Sequence, residues 1–239
     1  MKTAYSIFSN QGGRQINEDY ADCAVSKDAY CFVLCDGLGG HGMGDRASRF
    51  VARFVLNEFR ARTEDFAGTV LPRAQAALRE EQERLNAVEK MKTTAVILVI
   101  DGESGCCLHV GDSRLYRFRD GNVVFQTRDH SVPQMLVLTG EITAGEIRSH
   151  PDRNKLLRAL GDDRDELKFE RTDFDVRPGD AFLLCSDGFW EPLTEGEMLR
   201  LLSEQKSAKG WLNAMAQLAV KNSAGKNMDN FTAVAVRIN

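Results

Sequence analysis

From residue 45 the apolar positions fall at Ala47, Phe50, Val51, Phe54, Val55 and Phe59. That i, i+3, i+4, i+7, i+8 spacing predicts an amphipathic helix over 45–59 with one buried stripe. A second stripe, Leu71, Ala74, Leu78, Leu85 and Val88, predicts a helix over 71–88. Pro72 would stand in its first turn, where a missing N–H does no harm. A β-rich block follows. Residues 93–100 form a near-continuous β-branched run, suited to a strand covered on both faces. Strands are expected next at 106–110, 114–119 and 123–127, the last two joined by the Asp120-Gly121 turn. Others are expected at 3–8, 22–26, 29–35, 167–173, 181–186 and 231–238. Short helices are expected at 131–139 and 144–150, and longer ones at 194–205 and 211–220. The capping boxes Thr143-x-x-Glu146 and Thr194-x-x-Glu197 open two of them. Helices in the first and last thirds flanking a β-rich middle predict an α+β layered fold in one domain over 1–239.

Composition narrows the class. Hydrophobic residues make up 43% and charged residues 28% of the 239, as in a globular chain. The net charge is -4, with acids and bases interleaved. Without a basic patch with aromatics, nucleic acid is excluded as an expected partner. No apolar leader is visible at the start, and the run 95–100 is far too short to span a bilayer. Six cysteines, none in a CxxC pair and several inside apolar runs, read as reduced small hydrophobes. A cytoplasmic chain with no membrane contact is the expectation.

Candidate chemistry gathers at one stretch. The apolar run 30–35 ends at Asp36, and Gly37-Leu38-Gly39-Gly40-His41-Gly42-Met43-Gly44 follows. A buried strand thus delivers a carboxylate to its end, and five glycines let backbone approach a ligand closely. Asp187 ends the run 182–186 and precedes Gly188, Asp112 follows Gly111 after 108–110, and Asp229 stands just before the last strand. Singly, each reads as a turn. Jointly, carboxylates at strand ends can converge on one cation pocket, and an all-oxygen set without a His/Cys cluster favours Mg²⁺ or Mn²⁺ over zinc. Two such ions about 3.5–4 Å apart would bridge a water and make it a hydroxide nucleophile. The polar run 14–19 reads alone as a solvated loop, but Arg14 beside Glu18 and Asp19 is a candidate fork for phosphate oxygens. No cysteine has Arg at the Cys-x5-Arg spacing of a cysteine-based phosphatase. Asp173-x-Asp175 follows a stretch too polar for an aspartyl-phosphate enzyme.

Several motifs now occur in order: Arg14-x-x-Asn17-Glu18-Asp19, Asp36-Gly37-x-Gly39-Gly40-His41, Gly111-Asp112-Ser113-Arg114, Asp129-His130-Ser131, His150-Pro151-x-Arg153-Asn154, Arg158-Ala159-Leu160-Gly161, Ser186-Asp187-Gly188 and Asp229-Asn230. Together they cover essentially the whole chain, and the set resembles the metal-dependent type-2C serine/threonine protein phosphatases, most of all their bacterial branch. The resemblance implies a four-layer α-β-β-α sandwich with two antiparallel central sheets, helices on both outer faces, and a flap at about 132–160. It implies that Asp36 bridges two Mn²⁺ or Mg²⁺ ions, that the Gly37 carbonyl and Glu18 serve the second, and that Asp187 and Asp229 hold the first. Asp112 with Asp187 would match a third position. Arg14 would bind the phosphate of phosphoserine or phosphothreonine, Asp19 would orient waters and Arg14, and Arg153 would help bind substrate.

The implied activity is one-step hydrolysis of phosphoprotein, opposing a bacterial Ser/Thr kinase, by a monomer. The alternative is a non-catalytic phosphoprotein- or metal-sensing module of the same fold. One departure matters. Some members carry His directly after Asp-Gly as a proposed general acid, and here that position is Leu38. His41 is the remaining candidate there, with metal-bound water as the other proton source. His109 reads as core, and His130 and His150 as organisers of the loops around the flap.

Overall fold

The computed structural model describes residues 2–27, 29–39, 42–88, 90–162 and 167–239. Two antiparallel sheets of five strands form its centre. The first runs β1 (Thr3–Asn10), β10 (Phe231–Ile238), β9 (Ala181–Cys185), β6 (Arg114–Arg119), β7 (Asn122–Gln126). The second runs β2 (Asp19–Ser26), β3 (Ala29–Asp36), β4 (Ala95–Asp101), β5 (Ser104–Val110), β8 (Glu170–Asp175).

Strands covered on both faces explain the continuous apolar runs. On β3, Cys31, Val33 and Cys35 face a cluster with α1 (Gly44–Ala61) and α2 (Phe66–Arg84), while Phe32 and Leu34 face the other sheet. On β10, Ala233 and Ala235 face α5 (Glu195–Glu204) and α6 (Ala208–Asn222), while Val234 and Val236 enter the layer between the sheets. The result is the expected α-β-β-α sandwich. All six cysteines are free thiols and five are buried, in line with their reading as hydrophobes. Among the described residues no helix is long and apolar enough to cross a membrane.

Several expectations need correction. α2 begins at Phe66, so Pro72 lies inside the helix rather than in its first turn. The earlier turns are secured by Phe66, which meets Phe59 of α1 edge-on at 5.8 Å. Val88 lies beyond the helix and is exposed. The α1 stripe is centred on Ala47, Val51, Ala52, Val55, Leu56 and Phe59, with Phe50 and Phe54 at its margin. Residues 144–150 form not an α-helix but a 3-10 turn (Ala144–Ser149) whose Thr143–Glu146 capping box is present. β2 starts at Asp19, inside the run read as loop. A one-turn helix, α4 (Asp187–Trp190), follows β9 where none was expected.

The excursion after β7 carries α3 (Val132–Thr139), whose Ser131 cap accepts from Gln134 N. It is pinned to the first sheet's helical layer. Ile147 is buried there, and Arg148 donates to Leu193 C=O and to Glu195 Oε1, each at 2.8 Å.

Candidate metal centre

The strand ends converge on a cavity of about 480 Å³ at one edge of the sandwich. Its walls include Arg14, Glu18, Asp36, Gly37, Leu38, Gly39, Lys92, Asp112, Asp162, Asp187, Asp229 and Asn230. Backbone pairing explains the convergence. Asp19 is the ladder partner of Asp36 on β2 and β3, and the Asp36 N–H donates to Thr94 Oγ1 at 3.0 Å. Asp187 leaves β9 at the N-terminus of α4, where its Oδ1 accepts from Gly188 N. Asp229 precedes β10 and accepts from Asn230 N at 2.8 Å. Asn230 then ties the entrance together. Its Oδ1 accepts from Glu18 N, and its Nδ2 donates to Gln11 and Ile16 carbonyls.

Glycine is required beside Glu18. A Cβ at Gly39 would collide with Glu18 Oε2, and one at Gly37 would collide with the Gly44 carbonyl. The Asp36-Gly37-x-Gly39 stretch therefore folds tightly around the Glu18 carboxylate.

Charge in the cavity is unbalanced. Six acids (Glu18, Asp36, Asp112, Asp162, Asp187, Asp229) face two bases, Arg14 and Lys92. Burial and then the neighbouring Asp19 and Asp187 raise the Asp36 carboxyl well above its ordinary value. Burial followed by Asp187 does the same to Asp112. Asp187 is pushed up to about 6 by burial and Asp229, and Asp19 to about 7 by burial. Asp19 Oδ2 accepts from Ser186 Oγ at 2.8 Å, but its buried Oδ1 has no partner. A crowded all-oxygen set with an orphaned carboxylate oxygen is what a hard divalent cation neutralises, so the residues fit Mg²⁺ or Mn²⁺.

The protein phosphatase 2C family model matches residues 9–231 of the chain. The chain belongs to the protein phosphatase 2C family. It is 32% identical over 98% of its length to the serine/threonine protein phosphatase PstP of Mycobacterium tuberculosis, and it spans 45% of that relative. Its fold is similar to that of serine/threonine phosphatase Stp1 from Staphylococcus aureus, with TM-score 0.91 and 28% identity, covering 100% of this chain and 96% of that one. It is also similar to the catalytic domain of PstP in complex with two manganese ions, with TM-score 0.83 and 28% identity over 99% of each chain.

Against the 2C-type expectations, the structure gathers Arg14, Glu18, Asp36, Gly37, Asp112, Asp187 and Asp229 around the cavity. Arg14 is half exposed, and its Nη2 donates to Asp229 Oδ2 at 2.7 Å. Its hydrogen-bonded carboxylate is therefore Asp229, not Asp19. Arg153 is not in the wall, although its neighbour Asn154 is, and its Nε lies 3.1 Å from Glu191. His41 lies outside the described residues.

His109 and His130 stack behind the wall, with ring centres 4.8 Å apart. Their ring nitrogens and a Glu170 carboxylate oxygen fall within 4.8 Å of one another. That cluster is a poor metal site. Gly111 N donates to His130 Nδ1, so the neutral ring carries its proton on Nε2, facing Glu170 Oε1 at 3.5 Å. His130 also donates its backbone N–H to Gly111 C=O and accepts from Leu157 N. It thus joins the loop carrying Asp112 to the end of the excursion. Trp190 supports the same loop, donating Nε1–H to Asp112 C=O at 3.1 Å.

Sequence reasoning missed Lys92 and Asp162. No motif marks them, and the stripe of α2 masks their support. Gln75 and Gln82, which look like solvent-side polar positions, are buried. Gln82 Nε2 donates to the Met91 and Gly161 carbonyls and Gln75 Nε2 to the Asp162 carbonyl, fixing both segments at the cavity wall.

Proposed function

We propose that this chain is a metal-dependent protein phosphatase that hydrolyses phosphoserine and phosphothreonine on proteins, with 1–239 as one catalytic domain and 132–160 as its flap. The observation that carries this reading is the cavity in which five carboxylates, Glu18, Asp36, Asp112, Asp187 and Asp229, share a wall with Arg14. Asp36 would help hold two cations, one together with Gly37 C=O and Glu18 and the other together with Asp187 and Asp229. Asp112 with Asp187 would hold a third. Mn²⁺ or Mg²⁺ held there supplies Lewis acidity, lowering the pKa of water and offsetting charge on a phosphoryl group.

The side chains do the rest. Arg14 reaches Asp229 through one nitrogen and is half exposed, which leaves guanidinium N–H groups to bind phosphoryl oxygens at the mouth. Asp19 lies behind Asp36, and its orphaned oxygen is available to orient water. Water then displaces the seryl or threonyl oxygen in line, and no side chain is phosphorylated. The full carboxylate set supports catalysis over a sensing module of the same fold. A cytoplasmic setting and phosphoproteins made by a Ser/Thr kinase complete the proposal.

The test is turnover of p-nitrophenyl phosphate and a phosphothreonine peptide with Mn²⁺, repeated with EDTA and with Asp187→Asn. Loss of both activities under both controls is expected. Turnover surviving both would overturn the metal assignment, and activity on the aryl ester alone would overturn the protein substrate.

A further inference from the structure

We propose that the Lys92 ammonium is the acid that protonates the departing serine or threonine oxygen, an inference that rests on the phosphatase reading above. The β3–β4 ladder pairs Ala29 with Asp101 and continues past both strands as the Gly37–Thr93 bridge. One residue further, Leu38 N–H donates to Lys92 C=O at 2.9 Å. Cross-strand partners share a face, and alternate residues along a strand return to it. Lys92 therefore stands beside Leu38 on the face that carries Asp36, and all three line the cavity. Its Nζ lies 3.2 Å from Asp162 Oδ1, with the lysine side chain 12% exposed. Gln75 and Gln82 brace the two segments from α2, so the ion pair sits on a rigid support.

Elimination on chemical grounds leaves this group. Among the described residues of the wall, Glu18, Asp36, Asp112, Asp187 and Asp229 are needed deprotonated to hold cations, and Asp162 is the ion-pair partner of Lys92. Arg14 does not release its proton at any working pH. The amides of Asn154 and Asn230 do not transfer protons, and His109, His130 and His150 are not in the wall. Lys92 remains as the side chain with a proton to give and regain. As the water oxygen bonds to phosphorus, the P–O bond to the seryl or threonyl oxygen breaks. The ammonium gives its proton to that oxygen, leaving an alcohol and a neutral amine. The proton given up by the attacking water restores the ammonium. Asp162 holds the group in place and favours its recharging.

The experiment compares wild type, Lys92→Met and Lys92→Arg in Mn²⁺ on a phosphothreonine peptide and on p-nitrophenyl phosphate. An alkoxide leaves poorly without a proton, whereas nitrophenolate leaves well. Both variants are expected to lose about 10²-fold in kcat on the peptide and far less on the aryl ester. Arginine keeps the charge but yields no proton, so it is expected not to rescue. Mn²⁺ affinity by titration calorimetry is expected to be unchanged in both. Rescue by arginine would reassign Lys92 to charge anchoring and overturn the proposal. Equal losses on both substrates, no loss on either, or a matching loss of Mn²⁺ affinity would also overturn it. A wild-type protein inactive on both substrates would instead overturn the phosphatase reading, and this inference with it.

Discussion

Asp112 and Asp180 are both aspartates with almost no exposure, at 6% and 1%, yet their environments are opposite. Burial pushes the Asp180 carboxyl up, but Arg119, the Arg177 N–H and Arg117 outweigh it and hold it below its ordinary value. Arg119 Nε and Nη2 donate to its two oxygens at 2.6 and 2.8 Å, and Arg117 Nη2 adds a bond at 3.2 Å. Asp112 has no arginine hydrogen-bonded to its carboxylate among the described residues, and burial with Asp187 raises it. Two arginines answer Asp180, whereas Asp36 and Asp112 have no arginine hydrogen-bonded to their carboxylates among the described residues, and at the cavity mouth Arg14 bonds Asp229. Uncompensated burial of this kind costs stability and persists where a ligand completes the site. A buried carboxylate is thus read by what answers it.

The largest effect that would break this contrast is on turnover. Asp36→Asn is expected to lower kcat/KM by ~10³-fold or more, since it removes the carboxylate assigned to both cations. The same change is expected to raise the melting temperature of the metal-free protein, because it removes a charge crowded by Asp19 and Asp187. Thermal melts in EDTA beside initial rates in Mn²⁺ check both halves, and a lower metal-free melting temperature would contradict the reading of the cavity as strained.

Asp180→Ala is the mirror case. Removing one partner leaves Arg117 and Arg119 without their buried acid, and a loss of about 3 kcal/mol in unfolding free energy is expected. Activity per folded molecule is expected to hold, since Asp180 is far from the wall. Urea unfolding with rates measured at low denaturant separates the two. A fall in rate at full folding would show that the two classes of acid are coupled.

Much of this division was legible in the chain. Runs such as 30–35 and 93–100 are continuous because both faces of those strands are covered, and each hands an aspartate or a threonine pair to the cavity edge. Asp36, Asp187 and Asp229 announce themselves by standing at strand ends. What stayed hidden depends on pairing across distance. Lys92 faces the cavity because the ladder runs one residue beyond the β-branched run that starts at Thr93, and its cross-strand neighbour Leu38 lies 54 positions away (92 − 38). Asp19 reads as loop because its polar neighbours hide the start of β2. Arg14 meets Asp229 rather than Asp19 because β1 and β10 are adjacent, a fact of sheet order that no local pattern carries.

The smallest expected effect tests the contrast through pH. In the metal-free protein Asp19 titrates near 7 and Asp187 near 6, both above the ordinary 3.8, so the folded state binds these protons more tightly than the unfolded state. Their contribution is fully present below about pH 4 and is lost as pH rises through 6 to 7, so stability falls with pH in that window. Asp180 has the opposite sign: its contribution is present above the ordinary carboxylate range and lost only at lower pH. His130, held near 4 by burial and His109, acts between its folded value and the ordinary 6.5, where it adds stability as pH rises. Measuring from pH 6.5 to 8 therefore leaves the cavity acids and Glu191, which burial and Asp187 raise to about 7, as the expected sources of change. A decline of about 1 kcal/mol is expected in EDTA across that range. Asp19→Asn should reduce it, Asp180→Ala should leave its slope intact, and Mn²⁺ should reduce it by binding the charged form of the cavity acids. A flat profile in EDTA, or a slope that Asp19→Asn leaves untouched, would mean that the cavity acids are already answered by a partner within the chain.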